Sequence, residues 1–309
     1  EVIQTHMSWV FLTDSYAYKL KKPIRDAYRD LRTPEQRRRH AQEEVRLNRR
    51  LAAGVYLDVV ALTAGNHGAL TLTDGGAAVD WLIWMRRLPA GASLHRVLET
   101  GPAGDTALRQ AVEHLARFFT GEAPRAGFTA DAYRQRLRRD LDSECGMLGE
   151  RVPRESLEPA RAPVTGFLDE YGGLLGQRAA AGRIVEGHGD LRPEHVYLLK
   201  PPVVIDCLEF SRTLRLLDPA DEIAFLALEC ERLGAADTAA RILSLYPELS
   251  GDRPPARLFH FYQAFRGLVR ARLAALHAED PGMDHSDHWR QRADDYLERA
   301  ARHGRRALE

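Results

Sequence analysis

Glu186–Phe210, EGHGDLRPEHVYLLKPPVVIDCLEF, holds two acidic residues, Asp190 and Asp206, on either side of a short apolar hairpin. Asp190 lies in a turn of His, Gly and Pro, and Asp206 closes the run Val203-Val204-Ile205. Val196–Leu199 and Val203–Ile205 are strand-like by residue type, and Lys200-Pro201-Pro202 between them is a turn signal. A strand–turn–strand of this kind brings both carboxylates to one edge. There, one can take a proton from a hydroxyl while the other holds a divalent metal.

His188–His195, H-G-D-L-R-P-E-H, resembles the catalytic loop H-x-D-x-x-x-x-N of the protein-kinase-like superfamily. Its H-G-D-L opening resembles the aminoglycoside phosphotransferase branch in particular, and Ile205-Asp206 resembles that family's second metal-binding aspartate. The resemblance implies an α+β, bilobal protein-kinase-like fold: a small antiparallel N-lobe sheet with one main helix, and a larger, mostly helical C-lobe. It also implies roles. Asp190 is the base, Asp206 binds the metal, and Arg192 stands near the transferring phosphoryl group, where a guanidinium can bind two oxygens at once. The cofactors implied are ATP and Mg2+. His195 departs from the pattern by replacing the asparagine that ligates the second metal. An imidazole is a softer donor than an amide oxygen, which makes Mn2+ the alternative ion. Asp206-Cys207-Leu208 replaces D-F-G, as in the small-molecule branch. Glu209 is a candidate for the acceptor site or for supporting the metal aspartate.

Upstream, Val2-Ile3, Trp9–Leu12 and Tyr16–Leu20 read as strands, the last ended by Pro23. Ala17–Leu20, A-Y-K-L, resembles the strand that carries the phosphate-binding lysine, which selects Lys19, with Lys21 on the same face as the fallback. The turn Thr5-His6-Met7-Ser8 stands where phosphates are covered but lacks glycine, leaving Ser8 with its hydroxyl and amide as a candidate contact. Thr33, Pro34 and Gln36 start a helix with a capping box that runs to about Ala53. Glu44 shares a face with Leu47 and Leu51 and is the expected partner of the lysine. Val55–Thr63, Ala69–Thr73 and Val79–Leu88 are further strands, with Asp74-Gly75-Gly76 as a hairpin turn. The last stops at Pro89-Ala90-Gly91 and resembles the hinge: the backbone of Arg86 to Leu88 meets adenine, and Met85 lines its pocket. The domains expected are therefore 1–88, an N-lobe binding nucleotide, and 89–309, a helical C-lobe carrying the catalytic hairpin.

Ser93–Glu99, Asp105–Thr120, Asp131–Leu148, Leu157–Arg178, Ile223–Leu233, Arg257–His277 and Ser286–Arg302 have helical spacing, and Asp218 or Asp221 caps the fifth of them. His285 and His288 read as surroundings of a helix start, without further ligands for a metal. The 309 residues balance to a net charge of zero, which gives no support for a nucleic-acid or membrane-surface role. Three scattered cysteines argue for free thiols and a cytoplasmic setting, and no apolar run reaches about 18 residues. Lysine occurs only at positions 19, 21, 22 and 200 in a chain otherwise supplied with arginine. The reading is an enzyme, an ATP-dependent kinase moving a phosphoryl group to a hydroxyl of an amino sugar, aminoglycoside or sugar. The alternatives are a nucleotide-binding, pseudokinase-like regulatory module or a kinase acting on protein. Acceptor identity and oligomeric state are not legible.

Overall fold

The computed structural model describes residues 1–26, 29–65, 69–72, 77–123, 127–279 and 286–309. The expected turn at Asp74-Gly75-Gly76 and His285 lie outside them. The chain opens with three antiparallel strands, β1 (Val2–Gln4), β2 (Ser8–Leu12) and β3 (Tyr16–Lys21). Helix α1 (Pro34–Asn48) follows, then β4 (Tyr56–Ala64), β5 (Leu70–Thr71) and β6 (Ala78–Arg86). These strands form one sheet in the order β1-β2-β3-β6-β4-β5.

Thr33 caps α1 as expected: its side chain accepts from Gln36 N–H while Gln36 reaches back to the cap. The inward stripe of α1, Ala41 and Val45, packs with Ile83, Tyr56 and Val203 into a small core. That core presses α1 onto the sheet, so Lys19, in register with Val10 and Ile83, faces the helix. The helix stops at Asn48, short of the expected end near Ala53, because residues 49–55 turn to deliver β4.

Past a single 3-10 turn, Ala90–Ala92, the chain becomes helical with α2 (Leu94–Thr100), α3 (Asp105–Arg117) and α4 (Ala130–Gly149). The single helix expected over Leu157–Arg178 is two, α5 (Arg154–Glu170) and α6 (Gly172–Ala180), broken where Tyr171 leaves helical geometry ahead of two glycines. The segment bearing Asp190 and Asp206 enters on β7 (Val185–Glu186) and makes the hairpin β8 (Val196–Tyr197) and β9 (Val203–Val204), then α7 (Arg212–Arg215) and β10 (Leu216–Leu217), which pairs with β7. Four helices complete the fold: α8 (Pro219–Arg232), α9 (Ala236–Ser250), α10 (Ala256–Glu279) and α11 (Ser286–Leu308). Helix α9 had no counterpart in the sequence reading: no side chain caps its start, and Pro247 interrupts its pattern. Asp218 caps α8 as expected, accepting from Ala220 N–H.

The larger core lies among these helices, with Phe167 and Phe261 stacked at 4.4 Å near its centre. No helix of the described residues is long and apolar enough to cross a membrane. The three cysteines are free and buried.

Helices α10 and α11 touch at Gly267, where a Cβ would sit 2.9 Å from Ala300 Cβ and 3.2 Å from Tyr296 O. A branched side chain there must push α11 away, an overpacking cost of about 1–3 kcal/mol. Gly267→Val should lower the urea midpoint accordingly, and Gly267→Ala should do so by less.

Candidate active site

Lys19 leaves β3 and reaches two carboxylates. Its Nζ stands 2.8 Å from Glu44 Oε1 and 2.7 Å from Asp206 Oδ1. Burial opposes its charge, but Asp206 and Glu44 outweigh that and hold its pKa well above the lysine norm. Lys21, two residues on along the same face, donates to the other oxygen of Glu44 at 2.6 Å and to Glu209 Oε1 at 2.6 Å. The fallback lysine is thus a second, almost fully buried arm of the same cluster. Asp206, Lys19, Glu44, Lys21 and Glu209 form one unbroken chain of charges from the C-lobe hairpin to α1 and back.

The Asp206 segment is pinned from several sides. Asp206 has φ of 62°, a left-handed conformation that costs a non-glycine residue free energy and persists only when neighbours enforce it. Tyr56 Oη accepts from Asp206 N–H at 3.2 Å, Asn48 Oδ1 accepts from Cys207 N–H at 2.9 Å, and Arg215 donates to the carbonyls of Leu208 and Glu209. Arg50, just beyond α1, donates to the carbonyls of Glu186 and Gly187 at 2.9 Å each, tying the helix end to the catalytic loop.

Asp190 stands at the mouth of the loop with its side chain 30% exposed. Arg192 pairs with it at 3.0 Å and with Glu194 at 2.6 Å. Burial raises the pKa of Asp190, but Arg192, His195 and Arg270 lower it further, to about 2. Burial likewise acts on Asp206, whose pKa Lys19 and His195 nevertheless hold well below the carboxylate range. Both groups are anions at neutral pH.

His195 Nδ1 lies 2.8 Å from Asp190 O, a carbonyl that can only accept, so Nδ1 carries the proton. Its Nε2 lies 3.3 Å from Arg192 Nη2, a group that can only donate, and 3.6 Å from Asp206 Oδ2. Asp206 and His195 are the two donors that would hold a divalent ion, and they fit one that takes its other ligands from phosphate oxygens and water. Among the described residues no group of three His, Cys, Asp or Glu side chains forms a complete metal cage.

Met85 and Leu88, the residues expected near adenine, are half-buried against the small core, on which Tyr197 and Ile205 also pack. The backbone N–H groups of Arg86 and Arg87 already donate to Val55 O and Ser15 O. Of the expected hinge amides, Leu88 alone has no backbone acceptor among the described residues. Ser8 is fully buried, and its amide donates to Thr5 Oγ1 at 2.9 Å, which leaves only the hydroxyl for a ligand. The glycine-free turn is closed on itself by Thr5. Glu209, the candidate for the acceptor site or for supporting the metal aspartate, pairs with Lys21 at 2.6 Å.

One residue that the motif gave no hint of is Glu222. It comes from the first turn of α8, is fully buried, and accepts N–H bonds from His188 at 2.8 Å and Gly189 at 2.5 Å. It fixes the backbone from which Asp190 projects. A Cβ at Gly187 would sit 2.5 Å from its Oε2, so only glycine admits this carboxylate. His188 beneath it is neutral: burial and the neighbouring His195 lower its pKa to about 4. Its Nε2–H donates to Ile205 O at 2.8 Å, and its Nδ1 accepts from Asp190 N–H at 3.2 Å.

These features define the bilobal protein-kinase-like fold in the form found in aminoglycoside phosphotransferases and choline kinases. A choline/ethanolamine kinase family protein from Mesorhizobium loti superposes with a TM-score of 0.56 at 16% identity, over 99% of this chain and 92% of that one. A thermostable mutant of aminoglycoside phosphotransferase APH(4)-Ia, in ternary complex with AMP-PNP and hygromycin B, gives 0.57 at 13% identity, over 98% and 93%. A spectinomycin phosphotransferase with ADP and spectinomycin gives 0.55 at 11%, over 97% and 91%. At such identities the likeness is one of fold. No protein-family model matches the chain. Uncharacterized proteins of Mycobacterium tuberculosis and Mycobacterium bovis are 33% identical over 296 residues, 89% of this chain and 55% of theirs. The chain therefore spans about half the length of these relatives.

Burial raises the pKa of Glu222 from 4.5 to about 7, despite the two backbone N–H bonds that favour its charge. A carboxyl whose folded pKa lies above its unfolded one stabilises the fold fully below the unfolded value, and that contribution is lost as pH rises through the folded one. Between pH 4.5 and 7, wild-type stability should therefore fall relative to Glu222→Gln, by up to about 3 kcal/mol. Urea titrations of both proteins across that range check it. Parallel pH profiles would show that the carboxyl is not held as described.

Proposed function

We propose that the chain is an ATP-dependent phosphotransferase that moves the γ-phosphate to a hydroxyl of a small molecule, with Asp190 as base and Asp206 as metal ligand. One observation carries this reading: Lys19 Nζ lies within 2.8 Å of both Glu44, from α1, and Asp206, from the C-terminal hairpin. The carboxylate of Asp190 looks into the same cleft from the loop that His195 ties to the Asp206 hairpin.

In this reading Asp190, at a pKa of about 2, is too weak a base to strip a hydroxyl early. Its work is to orient the acceptor hydroxyl and receive the proton late, as the loose transition state of phosphoryl transfer allows. Arg192 turns its guanidinium between Asp190 and Glu194, where it can steady the charge of the transferring group. Lys19 exchanges its bond to Asp206 for phosphate oxygens and keeps Glu44. Met85 and the amide of Leu88 receive the adenine, and the Ser8 hydroxyl covers the phosphates. A magnesium ion held by Asp206 and His195 would neutralise phosphate charge, with manganese as the alternative. Three free, buried thiols agree with a cytoplasmic setting.

A second reading, a nucleotide-binding module without turnover, is favoured by one observation: a histidine occupies the position of the second metal-binding asparagine. A kinase acting on protein has no comparable support, since no activation-loop signature follows Asp206.

Phosphate transfer from labelled ATP, measured over a panel of hydroxylated acceptors or as acceptor-stimulated nucleotide turnover, separates these readings. Asp190→Asn should cut turnover by about 10²–10⁴-fold with nucleotide binding kept. Asp206→Asn and Lys19→Met should weaken nucleotide binding itself. Wild-type nucleotide binding with no turnover, unaltered by Asp190→Asn, would leave the non-catalytic module standing.

A further inference from the structure

Helix α8 packs on the turn Pro193–His195 that follows Asp190, and beside it arginines of three different helices form a wall. Arg270 (α10) and Arg232 (α8) both point at Glu229, a carboxylate 1% exposed, with Nε atoms 3.2 Å and 2.9 Å from its two oxygens. Tyr296 (α11) donates to the same Glu229 Oε1 at 2.6 Å, and Arg270 Nε–H donates to Tyr296 Oη at 3.3 Å. The bonds of Arg232 and Arg270 are thus made through Nε. Their terminal nitrogens carry no hydrogen bond among the described residues.

Arg292 (α11) completes the wall. It is half-buried beside Trp289, its guanidinium 5.0 Å from the ring centre, and it has no carboxylate partner among the described residues. Burial, then repulsion from Arg232 and Arg270, lowers its pKa, an unusual situation for a guanidinium. Arg270 acts in both directions: its charge also lowers the pKa of Asp190 and opposes that of Arg192. Because α8 carries Glu229 and Arg232 and packs on the turn Pro193–His195, the group adjoins the loop of Asp190.

The charges that face one another here are four guanidinia, Arg192, Arg232, Arg270 and Arg292, against Glu194 and Glu229 and the base itself. Both glutamates are already paired. A guanidinium taken partly out of water and set against two others is unfavourable without an anion. The terminal nitrogens of Arg232, Arg270 and Arg292 supply the planar donors that oxyanions accept.

We propose that the acceptor presenting its hydroxyl to Asp190 also carries an oxyanion, a phosphate monoester or a carboxylate, seated on Arg232, Arg270 and Arg292. The inference rests on the phosphotransferase reading and narrows it. Acceptors that are polycations, as an aminoglycoside is at neutral pH, meet the wrong sign of charge on this wall. Neutral sugars leave Arg292 without a counter-ion.

The test is calorimetric and needs no turnover. With Mg·AMP-PNP filling the nucleotide position and ionic strength held constant, inorganic phosphate and malonate are titrated into the whole chain, with spermidine as the opposite-charge probe. One of the two anions should bind saturably, and whichever binds more tightly names the oxyanion. Arg292→Gln and Arg232→Gln should each weaken that binding by about tenfold, Arg292→Lys should weaken it less, and the surface control Arg138→Gln should leave it unchanged. Using two glutamine variants guards against one of them failing to fold, which urea unfolding of each would reveal. The proposal is overturned if neither anion saturates, if both glutamine variants bind like wild type, or if spermidine binds more tightly. It is also overturned if phosphate binds only without AMP-PNP, since the arginines would then serve the nucleotide. Failure of AMP-PNP to bind counts against the phosphotransferase reading alone, and the anion titration then still reads the arginines.

Discussion

A single buried carboxylate, that of Glu44, holds two lysines at once, and the placement of both lobes follows from it. A charge fully removed from water is tolerated only when its lone pairs are taken up, and here each oxygen has its own ammonium. Lys19 extends the arrangement to Asp206, and Lys21 extends it to Glu209. The small apolar core beneath α1 sets the distance between helix and sheet, and the ion pairs set the register. With Lys21 in place, Glu44 would keep an ammonium partner even if its bond to Lys19 were lost. Helix α1 has no electrostatic reason to swing outward, unlike an arrangement in which one lysine is the only partner.

The catalytic loop rests on a complementary device. Glu222 receives two backbone amides, neutral His188 bridges Asp190 to Ile205, and Arg50 holds the carbonyls on the other side. The loop is thus fixed through its backbone, while the side chains of Asp190 and Arg192 pair with each other.

Much of this was legible in the sequence where the information is local. The residues His188 to His195 lie in one loop, Asp206 closes an apolar strand, and the Thr33 capping box marks a helix start whose spacing turns Glu44 inward. That local information puts Lys19, Glu44, Asp190 and Asp206 in one neighbourhood, and the fold joins Lys19 to Glu44 and Asp206, with His195 between Asp206 and Asp190. What stayed hidden depends on long-range meeting. Glu222 looks like an ordinary first-turn acid of α8 until the loop is laid over it, and Arg232, Arg270 and Arg292 sit on three helices. The self-closure of the Thr5 turn, which takes the Ser8 amide, is a matter of loop conformation that residue type does not encode. Helix α9 escaped notice because Pro247 lies inside its pattern.

Cys207 directly follows Asp206, at a position where a thiol reagent would find it if it were exposed and reactive. Its sulfur is sealed inside, 3.2 Å from His188 O, and burial, against the opposing pull of Arg50, raises the thiol to about 12. Thiolate is the nucleophilic form, so the cleft is chemically quiet toward alkylating electrophiles and peroxide. The sulfur beside Asp206 is thus kept out of reach, and oxidative stress should pass it by.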